Sequence, residues 1–380
     1  MDITRKQFLK ISGEAMAGLG LLSSGVFSLT QLAGCQKNYG GTMLEYKIKQ
    51  LNLVHTWTIA RNSSDFKNNV FVRFTKDGIS GIGEAAPNIR YNETPESTVA
   101  VVEKAVPLFE KKNPWHFVDL GYAIKNLADE QTAAKCALDI ALMDWVTKNL
   151  NVPLYKYLGL DKSKTPVTSF SIGIDTPEVM QQKIREAEKY PVLKIKVGKE
   201  NDEEIINAVR AVTDKILRVD ANEGWTNKEE ALEKINWMVK MDVEFIEQPM
   251  PSEMLEETRW LRDRVDVPII ADEAVKSAAD IPKLAKAYDG INIKLMKSGG
   301  IQEALRMVWM AKSLGMKVML GCMIESSCAI AAAAHLSPLV DYADLDGNLL
   351  IANDPFSGVA VESGRVILND KPGLGIEGEF

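Results

Sequence analysis

Four cysteines in 380 residues, at positions 35, 136, 322 and 328, are too few and too scattered for a disulfide framework, and no CxxC pair suggests zinc. There is no block of Lys or Arg. With 45 basic against 52 acidic residues and a net charge of −7, an electrostatic nucleic-acid partner is excluded. No apolar stretch makes a good transmembrane helix, since the longest, residues 15–33, is broken by Gly and Ser. Histidine is scarce too, at 55, 116 and 335 only, and none of the three ends a strand-like run. What is present is an ordinary globular composition, 46% hydrophobic and 26% charged, with ample material for a large core.

Residues 1–34 differ from the rest and are set apart from the fold as an export signal: Arg5, Lys6 and Lys10 precede the interrupted apolar run. Thr4 to Lys10 resembles a twin-arginine export signal with the second arginine replaced by lysine, so the route stays open between that and the general one. Leu32-Ala33-Gly34-Cys35 resembles a bacterial lipobox, which implies lipidation at Cys35, a tether over 35–42, and an exported, periplasmic, membrane-anchored lipoprotein. A plain cleavable signal with an incidental cysteine is the alternative.

Two architectures follow. Residues 43–160 form a small α+β unit: strand-like runs at 44–60, 70–75 and 82–84, a turn at Asp77-Gly78, then helical spacing at 95–110 and 133–150. From 161 to 350 the chain alternates short apolar runs with amphipathic helices at a spacing of about 25 residues, and eight such alternations predict a modified (β/α)8 TIM-type barrel capped by the N-terminal α+β domain. No GxGxxG follows the first run, which disfavours an open doubly wound sheet. Residues 351–380 lack helical period and are expected to return to the capping domain.

In such a barrel, chemistry gathers at the carboxyl ends of the strands. Asp220, Glu247 and Asp272 each follow an apolar run, one repeat apart, on the third, fourth and fifth strands. Three carboxylates sharing a dry cleft need a cation, and an all-oxygen set suits Mg2+. The bland alternative is that each caps the helix after it.

Lys194 and Lys196, two apart on the second strand, project to one face. Burial and like charge are expected to push a lysine there down toward about 7 to 8, into range for a general base. On the sixth strand Lys294 and Lys297 cannot both face inward if the strand is regular, and Lys297, at its end before Gly299-Gly300, is the one expected at the site. Lys196 and Lys297 would then face each other across the barrel. A carbon acid held between them by its carboxylate on the metal could lose its α-proton to one lysine and regain one from the other, through an enediolate, with inversion.

The cap, the barrel, Lys-x-Lys, the three acids, Glu247-Gln248-Pro249 and Lys297-Ser298-Gly299-Gly300 together resemble the enolase superfamily, in its muconate-lactonizing-enzyme-like subgroup. That resemblance implies Mg2+ ligands Asp220, Glu247 and Asp272, acid/base lysines Lys196 and Lys297, and Lys194 beside the substrate carboxylate. Asp344-Leu345-Asp346, at the end of the eighth strand, would repel an anionic acyl group and welcome an ammonium. The pattern is similar to that of dipeptide epimerases, where it holds the N-terminal amine. Arg61 is similar in position to an arginine that pairs with the glutamate side chain in the L-Ala-D/L-Glu type. Gly83-Glu84 and 90–95 are expected as a second capping loop, with Tyr91 shaping the pocket, and Cys322, Met323 and Glu325 line it. The expected activity is therefore that of an isomerase, Mg2+-dependent epimerisation of a dipeptide at its C-terminal residue. The alternatives are N-acylamino-acid racemisation or o-succinylbenzoate synthesis on the same apparatus, and a non-catalytic peptide-binding lipoprotein. Oligomeric state is not readable, and a homo-oligomer remains open.

Overall fold

The computed structural model describes residues 42–60 and 62–380; the stretch expected to be an export signal, Cys35 and Arg61 lie outside the described residues. The chain opens with three antiparallel strands, β1 (Thr42–Thr58), β2 (Ser63–Lys76) and β3 (Ile79–Ala85), in the order β1-β2-β3. Asp77 and Gly78 join β2 to β3 with φ of 53° and 77°, the two left-handed positions of a tight hairpin whose twist matches its strands. Gly83-Glu84 lie on β3 itself, so the loop over the barrel is 86–94 rather than the longer one expected.

Three helices follow: α1 (Pro95–Lys111), α2 (Phe117–Lys125) and α3 (Thr132–Asn149). Thr94 and Ser97 close a capping box at the start of α1, with Pro95 in its first turn. Helix α3 is buried from Ala133 through Thr147, on every side rather than along the single face that Leu138, Leu142 and Val146 suggest. Its position explains this, since it packs against β3 on one side and the helical turn Leu295–Ser298 on the other. A Cβ on Gly83 would stand 1.9 Å from the Ala137 carbonyl oxygen, and one on Gly81 2.0 Å from that of Ala141. Two glycines, spaced two apart on the strand, therefore meet two alanines spaced four apart on the helix.

Among the described residues eight parallel strands form the barrel: β4 (Phe170–Ile172), β5 (Val192–Lys196), β6 (Ile216–Asp220), β7 (Val243–Glu247), β8 (Ile269–Ala271), β9 (Gly290–Lys294), β10 (Lys317–Gly321) and β11 (Tyr342–Asp344). Each pairs with the next, and Ser169 N–H donating to the Ala343 carbonyl at 3.0 Å draws the last strand to the first. The interior is packed. Phe245, Ile270 and Met319 form a small core of their own against Tyr342, and the Arg218 guanidinium lies over the Phe245 and Tyr342 rings at 5.3 and 5.1 Å. Two residues further along three of these strands the positions turn from apolar or aromatic to acidic: Phe245 gives way to Glu247, Ile270 to Asp272 and Tyr342 to Asp344, while on β9 Asn292 is followed by Lys294.

The C-terminal segment runs back over the capping sheet. Ala352 N–H donates to the Asn52 carbonyl at 2.8 Å, and the Lys49 ammonium donates to the Glu379 carbonyl at 2.6 Å.

Candidate active site

A cavity of about 320 Å³ lies between the capping sheet, the loop 86–94 and the carboxyl ends of the barrel strands. One oxygen from each of Asp220, Glu247 and Asp272 comes within 4.8 Å of the other two, and all three residues are buried. Neighbouring donors, from backbone and side chains, hold them there. Asn222 N–H donates to Asp220 Oδ1 at 2.9 Å, and Asn292 Nδ2 donates to Glu247 Oε1 at 2.9 Å. Gln248 accepts the N–H groups of Asp272 and Ala274 on Oε1, at 2.9 and 3.2 Å, while its Nε2 donates to the Met250 carbonyl and Tyr288 Oη. The glutamine of Glu-Gln-Pro thus clamps the turn that carries the third acid.

The lysines close on these acids. Lys194 Nζ lies 2.8 Å from Glu247 Oε2, 2.8 Å from Asp344 Oδ2 and 3.1 Å from Asp220 Oδ2. Burial would lower its pKa, but Asp344, Glu247 and Asp220 outweigh that and hold it well above its ordinary value. For Lys194 the expected depression is therefore overturned: its neighbouring charges are carboxylates, not the other lysine. Lys196 Nζ reaches Asp220 Oδ2 at 2.6 Å. Lys294 Nζ reaches Asp272 Oδ2 at 2.8 Å, and Asp272 raises its pKa despite burial.

The choice between the two sixth-strand lysines is also corrected. Lys294 ends β9 and lines the cavity, because the chain turns helical immediately after it. Lys297 sits in that turn, behind Asp272. Its ammonium is paired with Asp272 Oδ1 and donates to the backbone carbonyls of Asp272, at 2.5 Å, and Asn292, at 3.3 Å. Burial, with Lys294 beside it, leaves Lys297 below its ordinary pKa. The inward alternation Gly290, Asn292, Lys294 was the available clue.

Burial, with Asp220 and Asp272 beside it, pushes Glu247 up to about 8, while Lys196 and Lys194 hold Asp220 well below the usual carboxylate range. The three acids, all buried, bring only oxygen atoms to one point. Their all-oxygen chemistry and close spacing fit one hard divalent cation.

Asp344 and Asp346 both line the cavity. Asp344 accepts from Lys194 and from Ser169 Oγ, the latter at 2.7 Å, while Asp346 accepts Ser171 N–H at 2.5 Å. Burial and Asp344 push Asp346 up to about 7. Tyr91, Cys322 and Met323 line the cavity as expected of them, but Glu325 does not: it is buried and accepts Met323 N–H at 2.7 Å. The described cysteines, 136, 322 and 328, are all free thiols. Two residues expected only as part of the second capping loop have partners that the sequence did not reveal. The buried Glu84 carboxylate takes Ser326 N–H, Ser326 Oγ, Ala329 N–H and Asn69 Nδ2, binding cap to barrel, and Arg90 makes a forked ion pair with Glu223 at 3.0 to 3.2 Å.

Lysines at the ends of the second and sixth strands, with three acids from the strands between, are an arrangement for removing and returning a proton. Models of two families match the chain: "Mandelate racemase / muconate lactonizing enzyme, N-terminal domain" over residues 45–159 and "Enolase C-terminal domain-like" over 178–379. The chain belongs to the enolase superfamily. It is an enzyme of that superfamily, an isomerase of the epimerase kind. The L-Ala-D/L-Glu epimerase of Bacteroides thetaiotaomicron is 43% identical over 98% of this chain and 98% of its own length. The substrate-liganded L-Ala-D/L-Glu epimerase from Bacillus subtilis superposes with a TM-score of 0.84 at 30% identity, covering 88% of this chain and 98% of that one. The dipeptide epimerase from Enterococcus faecalis, complexed with Mg and L-Leu-L-Tyr, gives 0.83 at 34% over the same shares.

Proposed function

We propose that this superfamily member epimerises dipeptides at the C-terminal residue, of the L-Ala-D/L-Glu type, by passing a proton across the α-carbon between two lysines. One observation carries the reading. Lys196 and Lys294 end strands four apart in a ring of eight, line the same cavity, and each is held by an acid of the set between them.

Asp220, Glu247 and Asp272 are the residues that would hold Mg2+. Bound there, the ion would stabilise the charge that develops on the substrate carboxylate as its α-proton leaves. The chain's own groups supply the rest. Lys196 takes or returns the proton on one face and Lys294 on the other, so either epimer finds a base and its product a donor. Lys194, fixed as an ammonium by three carboxylates, presents positive charge beside the substrate carboxylate. Asp344 and Asp346 take the N-terminal ammonium, whose charge offsets the burial and the Asp344 charge that raise the Asp346 pKa. Loop 86–94, pinned by Arg90 to Glu223, covers the cavity against water.

Incubation of L-Ala-L-Glu in deuterated water, followed by NMR, tests this: wash-out of the α-proton with appearance of L-Ala-D-Glu supports it, and no exchange would leave a peptide-binding role. Asp346→Asn separates the acyl-substrate alternatives, because loss of the ammonium partner harms dipeptide turnover and spares N-acylamino-acid racemisation. We further propose export and lipid anchoring through Cys35, on the strength of Leu32-Ala33-Gly34-Cys35, which would place the enzyme among murein-derived peptides. Unchanged detergent partitioning of Cys35→Ala would refute the anchor.

A further inference from the structure

The cavity contains one cation that nothing in the described protein balances. Lys67 lies on β2 two residues before Asn69, so the two side chains share a face of the strand, and both line the cavity. Asn69 is anchored, its Nδ2 donating to Glu84 Oε1 at 2.8 Å and to the Ile324 carbonyl at 3.0 Å, which ties this stretch of β2 to the segment after β10. The Lys67 ammonium makes no hydrogen bond or ion pair with a described residue, and the residue is only partly exposed. Burial lowers its pKa, and no carboxylate acts on it to raise it again.

The other lysines lining the cavity are matched: Lys194 to Asp344, Glu247 and Asp220, Lys196 to Asp220, and Lys294 to Asp272. A partly desolvated ammonium without a counter-ion is a standing cost that a ligand's anion would offset. Lys67 stands on the capping sheet and pairs with none of the barrel acids, so the group it meets is a different part of the ligand from the carboxylate at Asp220, Glu247 and Asp272. Nor is that group the amine, which belongs at Asp344 and Asp346.

We propose that Lys67 reads a carboxylate on the side chain of the residue being epimerised, so that the preferred dipeptides end in Asp or Glu. This rests on the dipeptide reading above and adds a specificity-determining residue from the cap.

The test compares wild type, Lys67→Gln, Lys67→Arg and Lys67→Glu on L-Ala-L-Glu, its neutral isostere L-Ala-L-Gln, and L-Ala-L-Lys, by α-proton exchange in deuterated water. A charge-assisted contact predicts that Lys67→Gln lowers kcat/KM for L-Ala-L-Glu about tenfold to hundredfold, mostly through KM, and changes L-Ala-L-Gln by less than about threefold. Lys67→Arg keeps the preference for the acid, and Lys67→Glu turns it toward L-Ala-L-Lys. Calorimetric titration of Lys67→Gln with L-Ala-D-Glu and L-Ala-D-Gln should show the same selective loss in binding. Equal losses on both substrates, or none on L-Ala-L-Glu, would overturn the proposal. Wild-type turnover of neutral dipeptides without acidic ones would sink it while leaving dipeptide epimerisation intact. Turnover of N-succinylamino acids with no dipeptide turned over at all would end both readings.

Discussion

Replacing Lys294 by Met and, separately, Lys297 by Met distinguishes the lysine that reacts from the lysine that holds the site together. Lys294→Met removes the amine at the end of β9 but leaves Asp272 its pairing with Lys297, so the acid stays neutralised and the fold persists. A positioned acid–base group contributes roughly 10²- to 10⁴-fold, or about 3 to 5 kcal/mol of barrier, and epimerisation should fall by that amount in both directions. Exchange should not vanish, however. The epimer whose α-proton faces Lys196 should still trade it for deuterium, without inversion, while the other epimer stays inert.

Lys297→Met acts differently. It strips a buried carboxylate and two backbone carbonyls of their shared donor, a loss of about 3 to 5 kcal/mol for a broken buried pair. That corresponds to a fall in melting temperature of about ten degrees, with activity on both epimers reduced together. NMR of each purified epimer in deuterated water, with a thermal melt of each variant, reads both effects. One-sided exchange in Lys297→Met, with Lys294→Met still inverting, would refute the assignment.

Magnesium at saturating concentration should raise the melting temperature of wild type, by about 2.7 kcal/mol of stability at 100 times Kd, and Glu247→Gln should abolish the rise; a shift that survives in the variant would place the cation elsewhere. Gly83→Ala forces a methyl into the Ala137 carbonyl, so a destabilisation of at least about 1 to 3 kcal/mol is expected in urea unfolding, and a neutral result would mean that β3 and α3 do not approach as closely as described. Glu325, buried near Glu84, has its pKa raised to about 8 in the folded protein against an ordinary 4.5. The unfolded chain therefore ionises first, and stability falls as pH rises from about 4.5 to 8, by at most about 5 kcal/mol. Glu325→Gln should flatten that slope in denaturant titrations across the window, and an unchanged slope would show that other groups carry it.

Much of the site is visible in one dimension because a barrel repeats. Strand, helix and return take about 25 residues, so acids ending consecutive strands recur at that spacing, and Asp220, Glu247 and Asp272 stand out without coordinates. The alternation of Lys194 and Lys196 shows that they share a face for the same local reason. Lys294 and Lys297 escaped because their separation only has meaning once the end of β9 is known, and the chain leaves extended geometry between them. The full burial of helix α3 is hidden in the sequence for a related reason. Its composition is consistent with one buried face, and only the layers on both sides of it explain burial all round.

Sequence by itself determined the order of elements, the ring of eight and the kinds of group at its mouth, since these follow from local periodicity and residue chemistry. Which lysine enters the cavity, how Lys194 stays charged, and where Lys67 stands without a partner among the described residues were decided by the tertiary structure. Charge balance is a property of neighbours in space, and those neighbours come from strands up to 150 residues apart, the separation of Lys194 and Asp344.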